Sequence, residues 1–511
     1  MDHHEILEMR SCVDDLPPKE ETPLLPKTIS PSNTKWRAHL EALVGGYELK
    51  PLVFLALPLM LSSAFDHVSF VIPVMMMGHL STALSKAYIS AIAMGMTFLL
   101  LTGWTVIGGN GSAMDTLCSQ SYGAGIAKDL GLVFQAGWIA GNLVLVPVMF
   151  VCLFCKDILL IFGQTNEVAV LASNLVLLMI PMLPICLFYD LLRRVLQSQN
   201  IVAPLVVVSG VSLVVNVGIN YVLMFHTSLG YLGRGVSATI MAVVAPLVLW
   251  PYLAQSAVYR NEWKGWNLNA AWSLVPQVLD LSLSGAAMHG FELWGISLAS
   301  IIAGMLPNAE VAISADVCMH GFRGFFYMLY GPVAVAGSVR VGNALGANDP
   351  IRARYAAWQC VGICGALGLV AAISMVAFRN SFPYMYTNDE SIVDLTAQLL
   401  LACAPFQTAC GIYAAILGIF RGSGQQTRGA VLNGIAYLLI GLPLGICLAH
   451  LLADGIVGLW LGISTAFLIC AIYGVVWLIR VDWHALAIDA YMREKNVMAA
   501  AASATSGAAA S

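Results

Sequence analysis

The sequence predicts an all-α protein that crosses a membrane many times, with about twelve transmembrane helices in two groups of six. Three observations carry this. Of the 511 residues, 59% are hydrophobic and only 10% charged, against roughly half and a quarter in a soluble domain. The apolar residues come in blocks of twenty or more, such as 52–77. Short stretches bearing Gly, Pro and basic residues separate the blocks. At 1.5 Å per residue, about twenty residues span a hydrocarbon layer of about 30 Å. In that layer a chain must close its own backbone hydrogen bonds, as a helix does.

Residues 1–50 are polar and proline-punctuated, with neither the short apolar core nor the cleavage site of a signal peptide. They read as a largely disordered cytoplasmic segment. Helices follow at 51–77, 84–108, 130–153, 168–191, 201–225 and 235–257, forming a first lobe over 51–257. The stretch 258–276 contains Arg260-Asn-Glu-Trp263-Lys264-Gly-Trp266, a polar, Trp-rich segment suited to a membrane interface, and reads as a cytoplasmic linker. A second lobe over 277–479 has helices at 277–306, 312–337, 355–378, 391–419, 429–451 and 456–479. The remainder, 480–511, is a cytoplasmic tail. Its Ala/Ser/Gly/Thr-rich end from Ala499 offers no large side chain to a core and is expected to be disordered.

With both termini in the cytoplasm, Lys128, Arg193, Arg194, Arg260, Lys264, Arg340, Arg352, Arg354, Arg421 and Arg428 fall on the inside, against Lys86, Lys156, Arg234 and Arg379 outside. That bias fits the positive-inside pattern. A formal net charge of −4 without a basic stripe excludes a nucleic-acid partner. Nearly all of the twelve cysteines sit inside apolar segments, as small buried hydrophobes do. No phosphate-binding loop, nucleophile elbow or zinc spacing is present. The sequence therefore indicates neither an enzyme nor an ATP-driven pump, and implies no cofactor and no metal. Asn110-Gly-Ser112 matches a glycosylation acceptor but falls at the inner end of a predicted helix, so it is not read as one.

The halves repeat. Cys118-Ser-Gln-Ser-Tyr-Gly123-Ala124 follows the second helix, and Val341-Gly-Asn-Ala-Leu-Gly346-Ala347 follows the eighth. Arg194-Val-Leu-Gln-Ser-Gln199 and Arg421-Gly-Ser-Gly-Gln-Gln426 likewise precede apolar helices at matching places. Two six-helix repeats share orientation, which puts a ligand cavity between two bundles.

At these residues the chain resembles the multidrug and toxic compound extrusion family in its eukaryotic branch. The resemblance runs over about 430 residues. It rests on Pro58-Leu-Met with Met76-Met-Gly-His79, Asp115 through Ala124, Val195 through Pro204, Met305-Leu-Pro-Asn-Ala-Glu310, Ser338 through Ala347 and Arg421-Gly-Ser-Gly424. It implies two lobes in a V-shaped antiporter that exports organic solutes in exchange for protons or sodium. Asp66 stands where the family commonly has Gln, and Pro73 stands near the place of an Asp in many bacterial members. Both departures move the coupling function to the second lobe.

Ionisable residues inside a membrane are few because each costs about 2.5–3.5 kcal/mol. Glu292, mid-way along the seventh helix, matches the glutamate the family uses for cation coupling; the alternative is a helix-locking hydrogen bond. His289 lies one turn earlier, as a proton relay or a packing residue. Asp316, His320 and Arg323 form one stripe on the eighth helix. If the two helices turn back at Pro307-Asn308, Glu292 and Arg323 lie level. An Arg323–Glu292 pair present in one transport state is then weighed against a static Asp316–Arg323 pair. Asp66 and His67 in the first helix are candidates to line the cavity, Asp66 for a cationic substrate. Trp104, Tyr189, Trp294, Tyr327 and Tyr330 offer rings for stacking or cation–π contact, although each also serves as ordinary filler between helices.

Glu20-Glu-Thr-Pro-Leu24-Leu25 resembles an acidic dileucine sorting signal for an adaptor, suited to a vacuolar or lysosome-type membrane; the expected location is such a membrane or the plasma membrane. The expected partners are the bilayer, an organic small-molecule substrate and that adaptor, with the chain monomeric. The expected coupling ion is the proton, with sodium open. A lipid or lipid-linked saccharide flippase of related fold, and a membrane sensor or channel, are the competing readings.

Overall fold

The computed structural model describes residues 48–78, 85–256, 259–260, 263–451 and 455–509. Glu20, Leu24 and Leu25 lie outside the described residues. The described chain is helical, with no strand among the described residues. α1 (Leu49–Gly78) is followed by α2 (Ser85–Leu99), which runs through a π turn, Leu100–Trp104, into α3 (Thr105–Gly123). Wide π turns leave carbonyls poorly satisfied. Here the Thr102 hydroxyl donates to Phe98 O at 2.7 Å and the Thr105 hydroxyl to Leu100 O at 2.9 Å.

α4 (Leu130–Cys152) and the short α5 (Cys155–Ile161) lead to α6 (Asn166–Met179) and α7 (Met182–Ser198). The segment 168–191, expected as one helix, is this pair, bent by 51°. Pro181 sits at the break, where a residue without an N–H interrupts the ladder. α8 (Ala203–Phe225), α9 (Gly233–Gln255), α10 (Leu268–Ala303), α11 (Ala309–Gly346) and α12 (Pro350–Phe378) follow. Next come α13 (Glu390–Cys403), α14 (Gln407–Ser423) and α15 (Gln426–Asn433). A second π stretch, Gly434–Gly441, precedes α16 (Leu442–Leu451), α17 (Ile456–Arg480) and α18 (Trp483–Ala509).

Among the described residues, ten helical stretches are long and apolar enough to cross a membrane, or eleven with the bent pair. α11, at 38 residues, is long enough but carries Glu310, Asp316, Arg323 and Arg340.

Three expectations need correction. The second helix does not stop near 108 but continues to Gly123, and the eighth runs on to Gly346. Both extensions are buried almost throughout. They face other helices instead of lipid, so small and hydrogen-bonding residues replace the apolar ones that mark a span. The end from Ala499, read as disordered, continues the helix α18 as far as Ala509, since Ala has the highest helix propensity and Trp483, Leu486, Val497 and Ala500 anchor that helix.

The positive-inside tally also changes. Arg193, Arg194, Arg340, Arg352 and Arg421 lie within helices and pair with carboxylates. Their positions follow from those partners, and setting the five aside leaves five inside against four outside.

The apolar interior divides into two main cores. The first gathers α2–α7 with Met224 of α8, two alanines of α9 and the first turns of α10, including Ala271, Leu274 and Val278. The second gathers α11–α17 with the first half of α1, through Leu52, Leu55, Ala56 and Leu59. Each half of the chain therefore lends a helix end to the other. Glu48 fixes that exchange at the start of α1. It is buried and accepts from Arg340 at 2.7 and 2.8 Å and from Arg352.

Candidate functional site

The repeated segments meet face to face. A Cβ on Gly123 would collide with the backbone carbonyl of Asn343, and one on Gly346 with that of Gln120. Each glycine thus meets the residue three places before its counterpart, as a local two-fold requires. Polar side chains complete this seam. Thr116 donates to Arg421 O, Gln120 to Gly422 O at 3.0 Å, and Gln426 to Ser112 O at 3.1 Å and to the Thr116 hydroxyl at 2.7 Å.

A buried charge cluster stands beside the seam. Asp115 accepts both of its bonds from Arg194, at 2.6 and 2.7 Å. Arg194 also reaches Asp190 at 3.4 Å, and Asp190 holds Arg193 at 2.6 Å. Arg421, from the other half, approaches Asp115 at 3.7 Å, and its Nε has no hydrogen-bond partner.

Arg421 also lines the cavity that holds Glu292, together with His289, Arg323, Tyr327 and Tyr330. The free volume of about 30 Å³ admits one or two waters and no organic solute. Glu292 Oε2 accepts from the Tyr413 hydroxyl at 3.1 Å, and that hydroxyl accepts from Asn433 Nδ2 at 2.8 Å. Asn433 is itself held by Met288 O at 2.7 Å. The neighbouring Tyr437 hydroxyl is buried without a partner. Its ring centroid lies 6.1 Å from that of Tyr413.

Sequence spacing brought Glu292 and Arg323 to one depth, and both line this cavity. They are not an ion pair in this conformation. The Arg323 guanidinium lies over the Trp460 and Phe467 rings, 5.2 and 4.8 Å from their centroids, where cation–π attraction holds it. The static Asp316–Arg323 pair is absent as well. Asp316 instead accepts from the Trp460 indole at 2.7 Å and faces His320 at 3.6 Å. His320 contacts Ser300 at 3.2 Å. Asp316 and His320 thus pack around Trp460 and do not line the cavity.

The remaining candidates are spread out. Asp66 is exposed, beside Ser209 and within the field of Arg193. His67 points the other way, toward Gly324 of α11. Trp104 and Trp294 are exposed, and the Trp294 indole reaches Leu101 O at 3.3 Å. Tyr327 is exposed, whereas Tyr330 is buried against Cys410 Sγ at 3.3 Å. Tyr413 and Asn433, the groups that hold Glu292, escaped the sequence reading. Their signal was a polar group within an apolar helix. Arg194 and Arg421 appeared only as inside charges and markers of repetition, and Asp115 only as the start of a segment that carries the resemblance.

The family model for MatE matches residues 58–222 and 287–447. Multidrug and toxin extrusion protein 2 of Oryctolagus cuniculus is 31% identical over 443 residues, covering 87% of this chain and 72% of the relative. Its Mus musculus counterpart is 31% identical over 448 residues, covering 87% and 77%. The crystal structure of the eukaryotic MATE transporter AtDTX14 superposes with a TM-score of 0.81 at 29% identity, covering 89% of this chain and all of that one. The described helices, the paired glycine seam and these likenesses together place the chain in the MATE family of multi-pass membrane transporters, which handle small molecules and are not enzymes.

Proposed function

We propose that the protein is an antiporter that exchanges organic solutes, cationic or amphipathic, for protons by alternating access, with Glu292 as the proton-binding group. The supporting observation is the chain Asn433–Tyr413–Glu292 within a cavity too small for solute. A buried carboxyl needs a hydrogen-bond partner in each protonation state. As a carboxylate, Glu292 accepts from Tyr413. Once protonated it becomes a donor, Tyr413 turns acceptor, and the Tyr413 proton needs a new acceptor. The unpartnered Tyr437 hydroxyl is suited to that role. Arg323, held by two rings and by no carboxylate, is free to meet Glu292 in another conformation; His289 and Arg421 complete the charged wall.

Substrate is then bound above this cavity between two lobes, 51–257 and 277–479, joined by the linker 258–276, whose part from Leu268 onward already belongs to α10. Asp66, Trp104, Trp294 and Tyr327 are the contacting side chains, with Tyr330 buried behind them in the cavity wall. Twelve spans, counting the bent pair and α11, put both termini on one side. In this reading that side is the cytoplasm, the glycine seam is the shut inner gate, and the N-terminal segment with Glu20, Leu24 and Leu25 meets a sorting adaptor for a vacuolar or lysosome-type membrane. The chain acts as a monomer, since each half completes the other's core.

The test is uptake of a fluorescent organic cation into proteoliposomes under imposed pH or sodium gradients. A pH gradient should drive uptake in the native chain and fail to do so in Glu292→Gln. Uptake that sodium alone drives, or that the Gln variant retains, overturns the assignment.

A further inference from the structure

α18 has a buried stripe, Trp483, Leu486, Ala487, Ala490, Glu494, Val497 and Ala500, at the three- and four-residue steps of one helix face. The surroundings change along it. Trp483, Leu486, Ala487 and Ala490 join the second core, whereas Val497 and Ala500 join the first. The crossing falls at Arg493 and Glu494. Arg493 Nε donates to Gln120 Oε1 at 2.9 Å, on α3, and its Nη2 donates to Ser423 O at 3.1 Å, at the end of α14. Gln120 is the residue whose carbonyl receives Gly346 across the seam. Gly424, at φ 74°, leaves the notch for the guanidinium: a Cβ there would stand 2.8 Å from Arg493 Cζ.

A helix packed on one body does not resist separation of two bodies. A helix packed on both must leave one of them before they part, and so adds its docking free energy to the closed state. We propose that α18 is a strap across the seam, with Arg493 as its fastening, and that the bond to Gln120 is released each time the seam opens. This rests on reading the seam as the inner gate. The carboxyl beside the fastening supports a bond that opens, because Glu494 is buried with Oε1 unpartnered, a penalty that undocking removes. Arg493 is a positioning residue and touches no substrate.

The experiment measures the distance across the seam between spin labels at Lys128 and Arg354, both exposed, in the full chain in nanodiscs. Labels are carried on encoded ketone side chains, which leaves the cysteines in place. In Arg493→Ala the fraction with long separations should rise about tenfold, as loss of a charged hydrogen bond implies. Arg493→Lys, which keeps the charge without the fork, should fall between and decides the question if the Ala variant misfolds. Hydrogen exchange at Val497–Ala501 reports in parallel whether the end of α18 is undocked. An undocked α18 with an unchanged distance distribution overturns the strap, and so does an Arg493 variant that leaves both readouts as in the native chain. Failure of proton-driven uptake bears on Glu292 and leaves these distances untouched.

Discussion

Replacing Glu48 isolates one buried charge cluster whose effect can be worked from geometry. Its carboxylate is buried and takes two bonds from Arg340, at 2.7 and 2.8 Å, and a third from Arg352. The Arg340 side chain is 10% exposed and that of Arg352 26%. In Glu48→Ala, Arg340 keeps about nine-tenths of its side chain buried with its partner gone. Stripping one partner from such a pair costs about 3–5 kcal/mol. Arg352 can turn outward, and its share stays below about 1 kcal/mol. Glu48→Gln keeps one acceptor oxygen and should lose roughly half as much, in line with a neutral rather than charged hydrogen bond. Tryptophan fluorescence on heating in detergent should show the Ala variant melting several degrees lower. Removing Arg340 as well should restore part of the loss, because contacting pairs are not additive. An Ala variant that melts with the native protein, or a double variant whose loss equals the sum of the singles, refutes the reasoning.

Glu494 lies outside the spans, and burial pushes its carboxyl up to about 8, opposed by the neighbouring Arg493 charge. A raised carboxyl pKa favours docking of α18 at low pH, weakens it as pH climbs from about 4.5 toward 8, and adds no further change above that. Hydrogen-exchange protection along α18, taken relative to the intrinsic base-catalysed rate at each pH, should fall across that window, and Glu494→Gln should flatten the profile; pH-independent protection in the native helix contradicts the assignment. Tyr413→Phe removes both the donor to Glu292 and the acceptor of Asn433. It should cut proton-driven uptake about tenfold or more, and Tyr437→Phe should shift the pH profile of uptake with less effect on its maximum. If Tyr413→Phe leaves uptake intact, the hydrogen-bond chain is not part of coupling. Gly346→Val sets a branched side chain against the Gln120 carbonyl. The spin-label pair across the seam should then report separation even with α18 docked, and an unchanged distance would show that the seam yields elsewhere.

Apolar runs reveal a helix when lipid is its neighbour, and α8, α9 and α12 were readable for that reason. They fail where protein is the neighbour. Gly109 to Gly123 is full of Gly, Ser, Asn and Thr because it packs between halves, and it reads as a loop for the same reason. Glu292 and Arg323 stood out as isolated charges in apolar surroundings, and equal spacing from one turn brought them together. Their actual partners could not be read so. Tyr413 is 121 residues from Glu292, and Asp115 is 79 from Arg194. No local pattern carries pairings of that range. The aromatic clamp on Arg323 likewise depends on α17, whose Trp460 and Phe467 look like ordinary span residues.

The exchange of helix ends between the cores bears on the order of assembly during synthesis. The first helix emerges with Leu52, Leu55, Ala56 and Leu59 facing a surface that does not yet exist, and Glu48 waits for Arg340, which follows it by 292 residues. Until α11 is threaded into the bilayer, α1 can lean on α8 through Ser62 and Ser209, but Glu48 has neither of its arginines. The nascent first half is therefore an incomplete body, and release of the last helices is the step that turns a string of inserted segments into one transporter.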